Sequence, residues 1–397
     1  MSRTPKPSHP IARPNRDQPV SWLGGLSPDQ FMRRYWQKKP LLVRGAFPDF
    51  TPPVSIQEVL ELACHDRAES RLIRRTGKGQ RWTLTHGPFE AKDIPPLRKS
   101  HWTVLVQQVN TRLPAADRFL DAFRFVPQAR LDDLMISVAG PSGGIGAHVD
   151  SYDVFLIQAS GQRRWEIAKT FDPTLEEDVP LKILKEFVPE EDWVLAPGDL
   201  LYLPPNVAHR GTAVGDGCMT WSIGFRAPAR NALADAVWTG HLDTLVDQNW
   251  KDPWLEASNS PAEIPGRLLD QLTEQVLNDF PSRKTISRGV ARVLSEPAQE
   301  AVFESPRRPD NAEKFKKNAC RHGLRLACST RILYQGSSFF ANGEAIGLPR
   351  DSSVQRLMKT FANERAVSGD ALRCCKGLTV LMPTLYEMYL AGWISYD

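Results

Sequence analysis

His148 and Asp150 stand two positions apart, and His209 follows later in the chain. On a β-strand, side chains at i and i+2 leave from the same face. One imidazole nitrogen and one carboxylate oxygen can therefore converge on a point, with His209 closing the set through the fold. Two imidazoles and one carboxylate cover one face of a metal and leave the other open. That set is characteristic of non-heme Fe(II) oxygenases, and it also accepts Zn(II) or Ni(II). The imidazoles must be neutral to ligate. His-x-Asp alone is common, and its ordinary setting is a surface turn. Here Ser142-Gly143-Gly144-Ile145-Gly146 precedes it, a loop in which glycines let backbone approach the site without a Cβ in the way.

The elements that must position these residues can be read around them. Leu134–Ala139 reads as a buried strand leading into the loop, and Val154–Ala159 as a strand leading away. Ser160-Gly161-Gln162 reads as a turn into Arg163-Arg164-Trp165-Glu166-Ile167. Ala196–Pro205 reads as turn, short strand, turn, ahead of Asn206-Val207-Ala208-His209. Short strands punctuated by Gly and Pro predict a sandwich or barrel of the jelly-roll kind, the group that includes cupins. Upstream, Ser27-Pro28-Asp29-Gln30 opens a helix with a capping box and proline in the first turn. Leu41-Leu42-Val43 reads as a strand, Ser55 caps a second helix, Arg71–Thr85 is strand-like and Pro114–Phe125 is helical.

After Ala227-Pro228-Ala229 the period becomes helical. Leu233, Val237, His241, Leu242, Leu245, Val246 and Trp250 form one stripe, Leu268 to Phe280 a second, and Ile286, Val290 and Val293 a third. So small an all-α segment has difficulty building a core of its own. Burial against a second copy removes the difficulty; a cover on the same subunit is the alternative. Beyond Pro309, strands at Arg331–Tyr334 and Ser338–Ala341 lead into the hairpin signal Asn342-Gly343. Asp351 caps a helix from Ser352 to Arg365, and a last helix holds Leu385, Met388, Tyr389 and Leu390. The fold class is α+β.

Composition excludes some functions. There are 50 basic and 46 acidic residues, a net charge of +4, too small to argue nucleic-acid binding by itself. No uninterrupted apolar run reaches membrane-spanning length. Met1–Val20 is rich in Pro and Arg and lacks the apolar core of a secretory signal; it reads as a disordered lead-in. Six cysteines without a C-x-x-C pair read as free thiols in a reducing cytoplasm. His9, His65, His86, His101, His241 and His322 have no ligand-like neighbours and receive no function.

His148-x-Asp150…His209, Gly161–Trp165 and Pro197-Gly198-Asp199 resemble the JmjC-type 2-oxoglutarate oxygenases. Tyr35–Arg44 and Ser151-Tyr152-Asp153-Val154-Phe155 are similar to the bacterial ribosomal oxygenases, most strongly from about residue 20 to 230. The resemblance implies a disordered lead-in over 1–20 and a JmjC double-stranded β-helix over 21–228. A helical dimerisation segment over 229–305 and a winged-helix-like domain over 306–397 would follow. It implies Fe(II), 2-oxoglutarate and O₂, with succinate and CO₂ as coproducts. Arg163 matches the arginine that grips the distal carboxylate of 2-oxoglutarate, and Ser137 its hydroxyl partner. The expected substrate is an arginine of a large-subunit ribosomal protein, and the expected assembly a homodimer. Asp153 and Ser222 are the sequence's choices for polar substrate contacts, against a turn cap and a core serine as the ordinary readings. Lys314, Lys316, Lys317, Arg321, Arg325 and Arg331 make the last domain's entry basic: a solvated face, or a contact to ribosomal RNA. Two rivals stay open. A small-molecule oxygenase predicts a closed pocket, and a non-catalytic metal-binding cupin with a winged helix on DNA predicts no succinate release.

Overall fold

The computed structural model describes residues 12–76, 81–299 and 301–397. Residues 1–11 of the expected lead-in, with His9, lie outside the described residues. Within the rest of that stretch, Arg16 bonds the Asp29 carboxylate at 2.8 Å and Arg13 reaches Glu364 at 2.6 Å. The chain divides into two compact units, one of 1–227, 297–331 and 348–397 and one of 228–296 and 332–347.

Among the described residues, the main sheet of the first unit has ten strands: β1 (Leu41–Val43), β2 (Ser70–Thr76), β3 (Arg81–His86), β4 (Trp102–Val106), β5 (Leu131–Ala139), β6 (His148–Val149), β7 (Asp153–Ala168), β8 (Glu191–Leu195), β9 (Leu200–Leu203) and β10 (Ala208–Phe225). They form one antiparallel sheet in the order β1-β9-β7-β10-β5-β4-β2-β3, with β6 on β10 and β8 on β7. The long strands β7 and β10 make this sheet a two-layered barrel. Each pairs with the other along both halves, and the ladder breaks between Val214 and Met219. One layer is β6, the first half of β10, the second half of β7 and β8. The other continues through β5 and β9 into the N-terminal strands.

The turn expected at Ser160-Gly161-Gln162 is instead a bend inside one sixteen-residue strand. Gly161 has φ +59, opposite Gly215 and Gly217 at +81 and +62. A Cβ on Gly161 would meet Gly217 O at 2.9 Å, so only glycine lets the two strands cross this corner together. A bulge and a hairpin turn share the same glycine signal; the unbroken pairing on either side distinguishes them.

Alternation sets the two faces. Leu134, Ile136 and Val138 of β5 and Met219, Trp221 and Ile223 of β10 enter the main core with Phe155 and Tyr202. The helices α1 (Pro28–Arg34), α2 (Ile56–Ala63), α3 (Val109–Arg112) and α4 (Pro114–Phe119) accompany this core, to which Phe31, Val59 and Phe119 contribute. The predicted capping box of Ser27 with Gln30 forms, and Ser55 caps α2 as expected, in a capping box with Glu58. Asp133, Met135 and Ser137 alternate with the core residues of β5, and Thr220 and Ser222 with those of β10. They therefore face the barrel interior. Ser137 pairs with Thr220 and Met135 with Ser222.

Three helices enter the second unit: α5 (Arg230–Leu242), α6 (Gly266–Asn278) and α7 (Arg283–Ser295). The first is shorter than its stripe, ending before Leu245 and Trp250. The first unit's C-terminal part holds α8 (Ala312–His322), β11 (Leu324–Leu326), α9 (Ser352–Glu364), β15 (Ala366–Val367), α10 (Gly369–Cys374), α11 (Leu378–Leu390) and β16 (Ile394–Tyr396). The strands β12 (Ile332–Gln335), β13 (Ser338–Ala341) and β14 (Glu344–Ile346) belong to the second unit. Asn342 and Gly343, at φ +49 and +87, make the predicted turn between β13 and β14. Arg292 and Ser295 of α7 both hydrogen-bond the Gly343 backbone. Asp351 caps α9 as expected. No helix among the described residues is long and apolar enough to cross a membrane.

Candidate active site

β6 is only two residues long and pairs His148 with His209 at the start of β10. That pairing places the imidazoles with their centroids 4.2 Å apart. Asp150, just past β6, brings Oδ2 to 3.6 Å from His209 Nε2. One ligand atom from each of His148, Asp150 and His209 lies within 4.8 Å of the others. Each imidazole is also oriented from behind. His148 Nδ1 donates to Gly146 O at 3.1 Å, and His209 Nδ1 donates to Val207 O at 2.9 Å. A carbonyl can only accept, so both rings carry their proton on Nδ1 and present a lone pair on Nε2. This backbone-fixed tautomer is what a metal-ligating histidine requires. Burial, with His148 alongside, pushes the His209 imidazole down to about 4, against the pull of Asp150. It stays neutral at physiological pH, so its approach to Asp150 is not an ion pair. The donor set fits Fe(II), and other first-row divalent ions.

The loop carrying the cluster packs against β10. A Cβ on Gly144 would lie 2.3 Å from Gly211 O, so this crossing also requires glycine. Ser142 N–H donates to Ala213 O at 3.0 Å and Ala213 N–H donates to Gly143 O at 2.8 Å, closing the loop onto the strand that carries His209.

Arg163, on β7 past the bend, is 4% exposed, and Ser137 is 5% exposed. The guanidinium donates to Ser137 Oγ at 3.4 Å and lies 5.8 Å from the centre of the Trp165 ring. Arg163 Nε is buried and has no partner among the described residues. A buried guanidinium with a donor to spare, next to a hydroxyl, has the chemistry to accept a carboxylate. Trp165 stands 5.9 Å from the His209 ring, so one buried indole adjoins both the guanidinium and the metal cluster. Arg164 points outward and pairs with Asp192 at 2.8 Å, as strand alternation requires.

The expected substrate contacts fare differently. Ser222 faces inward beside Met135. Asp153 is 0% exposed and already committed: Tyr202 Oη donates to it at 2.6 Å and Gln37 Nε2 at 2.9 Å, with Arg130 3.7 Å away. It braces the N-terminal segment and leaves the substrate set. The inward carboxylate is Asp133, two steps from Met135 and four from Ser137 on β5. Its Oδ2 accepts from Gln108 N–H at 2.9 Å. A Cβ on Gly224 would lie 3.4 Å from its Oδ1 and 4.0 Å from the ring of Tyr152, so the two flank one glycine-cleared spot. Burial, with Asp132 beside it, pushes the Asp133 carboxyl up to about 7. Sequence reading missed it, although period-two alternation back from Ser137 passes through it. The basic row also thins out. Lys314 pairs with Asp310 and Arg325 with Asp397, while buried Arg331 donates to the carbonyls of Gln128 and Asp132.

A double-stranded β-helix with two histidines, a carboxylate and a buried arginine on its inner face defines the JmjC class of metal-dependent oxygenases. The JmjC domain family matches residues 118–233. The chain is 33% identical over 371 residues to the ribosomal protein uL16 3-hydroxylase of Escherichia coli, covering 90% of this chain and 96% of that one. A probable ribosomal oxygenase of Haemophilus influenzae is 36% identical over 264 residues, 64% of each chain. The crystal structure of E. coli YcfD superposes with a TM-score of 0.81 at 29% identity, covering 94% of this chain and 98% of that one. YcfD bound to cobalt and 2-oxoglutarate superposes at 0.78 over the same shares. The chain belongs to the bacterial JmjC-domain ribosomal oxygenases.

Proposed function

We propose that this chain hydroxylates an arginine side chain of a large-subunit ribosomal protein, uL16 by likeness to the E. coli relative. Fe(II) would sit at His148, Asp150 and His209, and 2-oxoglutarate would lie with its distal carboxylate on Arg163 and Ser137. The observation that carries the reading is the inner face of β5. Ser137 at one end serves the cosubstrate, and Asp133 at the other offers a carboxylate to a cation. When bound, the metal supplies the coupling of 2-oxoglutarate decarboxylation to O₂ activation. The protein's share is orientation. Arg163 fixes the cosubstrate end, the two Nδ1 bonds fix the ligand rings, and Asp133 with Tyr152 receives the substrate's guanidinium. A charge-assisted bond of that kind contributes on the order of 1.5–3 kcal/mol. Ser222, between the two ends, contributes a hydroxyl to the same face.

The test is a peptide carrying the matching uL16 arginine, incubated with enzyme, Fe(II), 2-oxoglutarate and O₂. One oxygen should be gained on that arginine, with succinate released in step. Oxygen gain only on free amino acids or small metabolites would remove the protein substrate and leave a small-molecule oxygenase.

The helical segment supports a homodimer. Trp238, Leu242, Leu269, Leu272, Val276, Leu277 and Phe280 are exposed in the single chain. Apolar surface of that extent marks an interface. Sedimentation at micromolar concentration should give twice the 44.6 kDa chain mass; a monomer would refute the assembly. Six free cysteines suit the cytoplasm, where ribosomes are made.

A further inference from the structure

A second pocket lies against the ligand loop, lined by Arg75 of β2, Trp82 of β3, His101 before β4, Ser142 and Gly146 of the loop, and Thr212 of β10. Two of its side chains have unanswered polar atoms: Arg75 Nε and His101 Nδ1 are both buried and without a hydrogen-bond partner among the described residues. Both residues are firmly placed. The Arg75 guanidinium lies over the Trp82 ring, 5.5 Å from its centre. Arg75 N–H donates to His101 O at 2.9 Å, and His101 N–H donates to Pro141 O at 2.8 Å. His101 is held at φ +62. Arg210, also on the wall, is committed to Glu166 through two 2.7 Å hydrogen bonds, so the unanswered charge is that of Arg75.

Buried polar atoms are nearly always paired, and two orphans in one pocket mark a missing partner. Among the described residues, the lining supplies a guanidinium, an imidazole and the hydroxyls of Ser142 and Thr212, and no carboxylate. That chemistry rejects cations and apolar groups and suits an acceptor with several oxygens. We propose that this pocket binds a small oxyanion of the phosphate or carboxylate kind, held by Arg75 and His101. It is separate from the cosubstrate receptor: neither Arg163 nor Ser137 lines it. Because Gly146 lies two residues before His148, an occupant would tie β2 and the His101 turn to the loop that carries the metal ligands. The proposal does not depend on the substrate assigned above.

The experiment is thermal unfolding of the full-length protein in inorganic phosphate, acetate or chloride at matched ionic strength. It is run on wild type, Arg75→Gln, His101→Asn and Arg163→Ala. One of the two oxyanions should raise Tm by several degrees over chloride, and which one does so separates phosphate from carboxylate. The shift should persist in Arg163→Ala and vanish in Arg75→Gln and His101→Asn. No oxyanion shift in wild type overturns the proposal. A shift that survives Arg75→Gln, or that is lost only in Arg163→Ala, also overturns it by moving the anion elsewhere. Should Arg75→Gln fail to fold by circular dichroism, His101→Asn decides alone by the same criterion.

Discussion

The barrel and the helical segment carry equally regular apolar patterns and use them in opposite ways. In the barrel, Leu134, Ile136 and Val138 of β5 and Met219, Trp221 and Ile223 of β10 are sealed in an aromatic core. Between them, Asp133, Met135, Ser137, Thr220 and Ser222 face the barrel interior. In the helical segment Val237 is buried against α7, but the α6 stripe remains open: none of the residues of α6 is fully buried, and Val246 beyond α5 is 84% exposed. A sheet with one packed face can hold unpaired donors such as Arg163 Nε on the other, because its rigidity comes from the core behind. An open apolar face has no such support in the single chain. If the proposed homodimer holds, catalysis and assembly fall to different parts of one polypeptide.

The largest effect that would sharpen this division is at the ligand cluster. Asp150→Ala should abolish turnover while leaving the melting temperature within a few degrees of wild type, since the carboxylate supports no core residue; a parallel collapse of Tm would make it a structural group. Next comes the packed face. Trp221, fully buried and edge-on to Phe119 at 5.0 Å, should cost about 3–5 kcal/mol when cut to alanine in urea unfolding. Val246→Ala should cost less than about 0.5 kcal/mol. Comparable losses at the two sites would erase the contrast.

On the cavity face, Arg163→Ala should raise the KM for 2-oxoglutarate, since a buried bidentate contact is worth on the order of 2–3 kcal/mol, or roughly 30- to 150-fold. An unchanged KM would give the carboxylate another receptor. The smallest effect is a pH profile. Asp133 gains its negative charge as pH rises through about 7, so the KM for an arginine peptide should fall across that interval. In Asp133→Asn the profile should be flat and the KM uniformly high. A slope that survives the substitution would assign the titration to another group.

The metal set was legible because its spacing is a strand property: His148 and Asp150 at i and i+2 need no tertiary information. The capping box at Ser27, the cap at Ser55 and the turn at Asn342-Gly343 were legible for the same local reason. Arg163 and Ser137 were reached by resemblance, since their meeting depends on β7, β10 and β5 lying side by side. The bend at Gly161 was misread because glycine at positive φ serves a turn and a bulge alike, and only the partner strand decides between them. Asp153 was misjudged because its partners, Tyr202 and Gln37, are remote in sequence. The basic row lost members because Asp310, Asp397 and the Gln128 and Asp132 carbonyls come from elsewhere in the fold.

The central claim is that three side chains, oriented by their own backbone, hold one metal per chain. Anaerobic equilibrium dialysis of Fe(II) against wild type and His209→Ala tests it most directly. Wild type should bind one Fe(II) per chain, and His209→Ala should bind far more weakly while keeping its circular dichroism spectrum. Equal affinity in a folded His209→Ala protein would contradict the account and move the metal away from this cluster.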